Sequence, residues 1–183
     1  NLLPVPRGVM PEVAALVEPL ACCLHCVERA DVRKGDTVAI VGAGPAGMYA
    51  ADELLKQDGV EVVVYDKMRA PYGLVRSGVA PDHQMTKSVD RLFRQIEDLP
   101  GFHYALGEEV GRSVRHQDLT QRYSAVIYAT GASQDRPLPL PGHELQGVTS
   151  ATRFVAWYNG HPEYAAADGD LRHRRVVIGG NGN

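Results

Sequence analysis

Long apolar runs are missing from this sequence. None approaches the roughly 20 residues that cross a bilayer, so no membrane-spanning helix and no membrane partner are expected. Cysteine is scarce and confined to one cluster, Cys22, Cys23 and Cys26. An odd number in a single cluster does not make a disulfide framework and points to a reducing cytoplasm. An excess of one charge sign is also missing. The formal net charge is −3, which indicates no general attraction to nucleic acid or to an anionic surface. Asn1 to Gly8 shows no charged start followed by an apolar stretch, the pattern of a secretory signal. What remains, within 183 residues, is room for one domain with a real core, or one and a part.

Glycine is placed with purpose. Thr37-Val-Ala-Ile-Val-Gly-Ala-Gly-Pro-Ala-Gly47 reads as a buried strand, a tight turn and a helix start. In such a turn Gly42 permits the sharp bend, Gly44 lets a pyrophosphate come close to the backbone, and Gly47 lets the helix pack on the strand. The helix dipole and the first-turn amides favour an anion there. Asp66 follows nineteen positions after Gly47, at the end of the next apolar run. An acid at that distance suits the hydroxyls of an adenosine ribose. These features together predict an adenine dinucleotide.

Elsewhere, helical spacing of apolar residues predicts a helix over Pro11 to Arg29, interrupted at Pro19. Further helices are predicted over Ala46 to Lys56, Met85 to Leu99 and Thr149 to Tyr158. Strands are predicted over Val60 to Tyr65, His103 to Leu106, Val110 to Val114, Ala125 to Ala129 and Arg175 to Ile178. Lys67 to His83 holds Pro71, Gly73, Gly78 and Pro81 and reads as a long, functional loop. The final Gly179-Gly-Asn-Gly-Asn183, after a strand, reads as a second glycine turn, so the chain is expected to be a piece of a longer protein. The expected fold class is α/β: a Rossmann-like dinucleotide-binding domain, three-layered around a mainly parallel sheet and incomplete, plus the first strand of a second nucleotide-binding domain. The expected boundaries are 1–36 for a linker helix segment, 37–172 for the first nucleotide-binding part and 173–183 for the truncated start of the second; the family resemblance given next implies that the first is an FAD-binding domain and the second an NADPH-binding domain.

Four blocks carry a family resemblance. They are Ala39-Ile-Val-Gly-Ala-Gly-Pro-Ala-Gly47, Pro71-Tyr-Gly-Leu-Val-Arg-Ser-Gly-Val-Ala-Pro-Asp-His83, Ala125-Val-Ile-Tyr-Ala-Thr-Gly-Ala132, and Phe154-Val-Ala-Trp-Tyr-Asn159 with His161-Pro162. Over about Val38 to Asn183 the chain resembles the adrenodoxin reductase-like ferredoxin–NADP reductases. The resemblance implies an oxidoreductase with FAD and NADP as cofactors. It takes hydride from NADPH and passes single electrons to an iron–sulfur ferredoxin. It also implies that this chain alone has little or no reductase activity. By the same resemblance Gly42, Gly44, Ala46 and Gly47 would cradle the FAD pyrophosphate and Asp66 would bind its ribose. Leu74 would meet the flavin end, and Val110 would touch the adenine side through its backbone. His83 would lie near the isoalloxazine and assist proton handling. Arg136 would reach toward NADPH, and Asn181, Gly182 and Asn183 would open its pyrophosphate site. The family's usual Ile-Gly-Asn-Gly-Asn has one glycine more here, Ile178 to Asn183.

Residues 1–36 resemble the medium-chain zinc-dependent alcohol dehydrogenases instead, with Glu18 at the position of a zinc ligand. Two other readings therefore accompany the main one: a dehydrogenase piece holding NAD at the same glycine turn, or a relic that binds no cofactor. A four-coordinate zinc site needs partners this chain lacks, so no metal is expected. Cys23-Leu-His-Cys26 sits within an apolar helical stretch, where packing is the simpler role. Lys87, Arg91 and Arg94 form a basic stripe that reads as a solvated helix face or as a docking place for an acidic ferredoxin.

Overall fold

The computed structural model describes residue 8, residues 17–132, residue 135, and residues 140–166, 171–172 and 174–179. Four strands form one parallel sheet: β1 (Thr37–Val41), β2 (Glu61–Asp66), β3 (Phe102–Leu106) and β4 (Ala125–Tyr128). Their order is β3-β2-β1-β4. Ala39 stands beside Val63 on one side and Val126 on the other. The chain thus runs outward from β1 through β2 to β3, then returns to the opposite side of β1 with β4. This is the doubly wound order, and its switch point lies between β1 and β4.

The strand sequences explain the sheet. A parallel strand is covered on both faces and so reads as an unbroken apolar run. Val38, Ala39, Ile40, Val62 and Val64 are fully buried. Alternation sends Val38, Ile40, Val62 and Val64 to one face. There α2 (Pro45–Leu55) and α5 (Asp90–Glu97) contribute Met48, Leu54, Phe93 and Ile96. α1 (Val17–Arg29) packs on α2 and adds Val27. The other face, with Ala39, Val41 and Tyr65, is covered by Leu119 of α6 (His116–Arg122) and by Val110 and Val114. Helices on both faces give the expected three layers.

Several predicted elements change on contact with the structure. Pro19 lies within α1 as described, Val17–Arg29, and the predicted helical stretch before Val17 lies outside the described residues. The helix predicted over Met85 to Leu99 is divided into α4 (Gln84–Lys87) and α5. The Ser88 hydroxyl donates to the Met85 carbonyl at 2.6 Å, a local bond that competes with the helical ladder. The loop after β2 contains a short helix, α3 (Gly73–Ser77). Val110 to Val114 is a turn closed by one bridge rather than a strand. The late helix is α7 (Ala151–Tyr158), followed by a 3-10 turn over Pro162–Tyr164. Arg175 to Ile178 is not a strand. It finds no ladder among the described residues, and Val177 stands 95% exposed. No described helix is long and apolar enough to cross a membrane.

Candidate dinucleotide site

The three glycines of the turn have different reasons to be glycine. Gly42 closes β1 with φ +115, a conformation that side chains rarely adopt. A Cβ there would also press on the Ala129 carbonyl carbon, 2.7 Å away at the end of β4. A Cβ on Gly47 would drive into the Gly42 carbonyl oxygen, with Ile40 Cγ2 only 3.3 Å off. Both are glycines because the protein leaves no room. Gly44 is unlike them. Its φ of −80 and ψ of −178 suit any residue, and a Cβ on it would meet nothing within 4 Å. Neither strain nor packing accounts for this glycine. The empty space beside it lies at the first turn of α2, where the helix dipole favours an anion. No described protein atom comes within 4 Å of where a Gly44 Cβ would stand, the kind of opening a pyrophosphate would need.

Asp66 is held against the same turn. Its Oδ2 accepts from the Ala43 amide at 2.7 Å and its Oδ1 from the Met68 amide at 2.8 Å. Each carboxylate oxygen keeps a second lone pair for a further donor. The Gly42 amide donates to the Tyr65 carbonyl at 2.7 Å, so turn and strand end are bonded twice. The Glu108 amide donates to the Asp66 carbonyl at 3.0 Å and brings the Val110 turn to the same strand end.

The loop after β2 returns onto the glycine turn. The Tyr72 amide donates to the Ala43 carbonyl at 2.8 Å. Tyr72 itself adopts φ +85, and the Cβ direction of Gly73 reaches within 3.0 Å of Gly44 Cα. The backbone of α3 therefore begins in contact with the turn. Leu74, the next residue, projects an apolar side chain that is 62% exposed. Gly42, Gly44, Gly47, Asp66 and Leu74 are thus gathered at one end of the sheet, with Val110 near Asp66. Ala46 lies exposed on the first turn of α2.

Supports behind this wall were not foreseen. The hydroxyls of Tyr72 and Tyr104 both donate to Glu97 Oε1, at 2.8 and 2.7 Å. Burial, then Glu97, pushes the Tyr72 hydroxyl up to about 12 and raises that of Tyr104 as well. Lys87 Nζ donates to the Val75 and Arg76 carbonyls at 3.3 and 3.1 Å and to Asn159 Oδ1 at 3.2 Å. It thereby ties the end of α3 to the end of α7. Arg94 is paired with Asp90 at 3.0 Å. Two cations of the predicted stripe are therefore engaged within the fold. His83 stands exposed at the start of α4, where its side chain makes no capping bond. Arg136, Asn181, Gly182 and Asn183 lie outside the described residues. No group of three or more potential metal ligands occurs among the described residues.

Residues 36–183 match the family model of the pyridine nucleotide-disulphide oxidoreductases. The chain belongs to this family. A probable ferredoxin/ferredoxin–NADP reductase of Mycobacterium tuberculosis is 55% identical over 147 residues, covering 80% of this chain and 26% of that protein. The human mitochondrial NADPH:adrenodoxin oxidoreductase is 44% identical over 150 residues, 82% of this chain and 30% of that one. The structure of FprA from M. tuberculosis in complex with NADPH superposes with a TM-score of 0.69 at 42% identity, over 72% of this chain and 30% of that one. The chain thus spans about a quarter to a third of the length of the pyridine nucleotide-disulphide oxidoreductases it matches. The resemblance to adrenodoxin reductase-like proteins holds. The family match begins at residue 36 and lends no support to the zinc-dehydrogenase likeness of residues 1–36.

Proposed function

We propose that this chain is the adenosine-side part of the FAD site of an NADPH-dependent ferredoxin reductase. The observation that carries the reading is Gly44, a glycine required by neither strain nor packing, facing empty space at the start of α2. Its relatives' names add the direction: ferredoxin and adrenodoxin reduction with NADPH. When bound, FAD would take hydride from NADPH and pass electrons singly to an iron–sulfur ferredoxin.

The chain's own residues have holding roles. Gly44, Ala46 and the first turn of α2 would bind the pyrophosphate. Asp66 would take the ribose hydroxyls while it pins Ala43. Val110 would line the adenine side, and Leu74 would cover the flavin end with apolar surface and exclude water. His83 would handle protons near the isoalloxazine. Arg136 and Asn181 to Asn183 would approach NADPH. Residues 37–172 would form the N-terminal part of the FAD-binding domain and 173–183 the start of the NADPH-binding domain. The setting is the cytoplasm. The 183 residues alone bind FAD weakly and turn over no ferredoxin, because they span only about a quarter to a third of the length of the reductases they match.

Titration with FAD and, separately, NAD tests the reading by flavin fluorescence and thermal shift. A ligand at 100 times its dissociation constant stabilises by about 2.7 kcal/mol. FAD should raise the melting temperature at concentrations where NAD does not. An equal or stronger response to NAD would favour a dehydrogenase, and no response to either would leave a cofactor-free relic.

A further inference from the structure

We propose that Glu97 is a positioning residue: through the Tyr72 hydroxyl it sets where the Leu74 segment stands against the Gly42–Gly47 turn. The inference rests on the FAD reading for its purpose, since those two segments would hold the flavin end and the pyrophosphate.

Glu97 is oddly placed for its own helix. It is the last residue of α5, where the dipole disfavours a carboxylate. A local choice that opposes its own element points to a demand from elsewhere. The demand is visible in two tyrosines from different elements. Tyr104 comes from β3 and its hydroxyl also reaches Met48 Sδ of α2 at 3.4 Å, so this partner is fixed in the core. Tyr72 comes from the loop, with only 6% of its surface exposed. Its ring meets Phe93 of α5 at 5.4 Å and the Arg76 guanidinium at 5.2 Å. One carboxylate oxygen therefore joins a fixed hydroxyl to a loop hydroxyl.

The loop end of this connection is the sensitive one. Tyr72 holds a left-handed φ of +85, which a non-glycine residue keeps only when its surroundings impose it. Its amide donates to Ala43 in the glycine turn, and its carbonyl accepts from the Val75 amide at 3.0 Å, opening α3. The bond from Glu97 to the ring's far end locks the side chain while the backbone locks the turn. Releasing the hydroxyl frees the ring to lean, and the Tyr72–Val75 backbone leans with it. Charge-assisted bonds are the stronger kind, so a carboxylate suits this task.

Amide hydrogen exchange on the full chain tests the assignment. In Glu97→Leu, exchange across Tyr72 to Gly78 should rise about tenfold or more, while β1, β2 and β3 keep their protection. Glu97→Gln should restore the loop, because its amide oxygen accepts the same two hydroxyls. Tyr72→Phe, which removes one atom from a ring that keeps its packing, should reproduce the loop loosening even if Glu97→Leu folds poorly. FAD affinity, followed by fluorescence, should fall in step with loop exchange. Unchanged loop exchange in Tyr72→Phe would overturn the proposal. So would loosening spread evenly over strands and loop, the mark of a general stability defect. If the wild-type chain binds no FAD but the exchange pattern appears, positioning stands and the FAD reading fails.

Discussion

Replacing Gly47 and Gly44 separately by alanine should give opposite phenotypes. A Cβ at Gly47 would lie 3.1 Å from the Gly42 carbonyl carbon and closer still to its oxygen, with Ile40 Cγ2 at 3.3 Å. Ordinary contact needs a movement on the order of 1 Å by backbone on both sides, and the Gly42 side is already held by its amide bond to the Tyr65 carbonyl. Overpacking of this kind costs about 1–3 kcal/mol, toward the upper end where backbone must yield. For a chain of this size that is about 5–10 °C of melting temperature. At Gly44 the added methyl meets no protein atom. Alanine reduces the freedom of the unfolded chain but is a poorer N-cap than glycine, so the two effects nearly cancel. Gly44→Ala should melt within about 2 °C of the wild type. It should nevertheless lose at least about tenfold in FAD affinity, since the methyl would take the place proposed for the pyrophosphate. Thermal melts without ligand and FAD titrations of both variants decide the matter. A Gly44→Ala protein that binds FAD like the wild type, or that is as unstable as Gly47→Ala, would refute the reasoning.

Other outcomes follow from single contacts. Asp66→Asn keeps one acceptor but turns an NH2 toward an amide it can no longer satisfy; denaturant melts should show a loss of about 2–3 kcal/mol. Lys87→Met leaves the Val75 and Arg76 carbonyls without their shared donor, and proteolysis should open near α3 and α7 before the sheet melts. Burial first, then their hydroxyl or carboxylate neighbours, raises Tyr72 and Tyr123 from 10.0 to about 12. The fold therefore favours their neutral forms. That stability is complete below about pH 10 and is lost as pH rises toward 12, with phenolate absorbance as the measure. The exposed Lys67–Glu163 pair is bonded at 2.8 Å, yet Glu163→Gln should change stability by no more than about 1 kcal/mol.

The parts legible in the sequence were those written in one segment. The strand run Val62-Val-Val-Tyr65 and the turn Gly42 to Gly47 carry their own patterns, and their bounds hold within a residue or two. α6 was missed because Leu119 is its one buried residue, too little to mark a helical period. The break between α4 and α5 coincides with a bond from the Ser88 hydroxyl to the Met85 carbonyl, a local contact that periodicity does not register. In the site, Asp66 was placed by spacing. Its double grip on Ala43 and Met68 was not, because it depends on which atoms the fold turns toward it. Glu97 had no signal at all: its two tyrosines lie 25 and 7 positions away on different elements.

The β1–β4 pairing has a consequence for how the protein reaches its native state. Ala39 must find Val126 across the whole intervening chain, after two crossovers have already been laid down. Such distant contacts close late, because their loop entropy must be overcome before they return anything. Ala129 donates its amide to the Val41 carbonyl on this seam, so the crevice proposed for the ligand is completed by the pairing with the longest sequence separation in the sheet. Gain of flavin binding during refolding would accordingly report the last step of assembly, not the first.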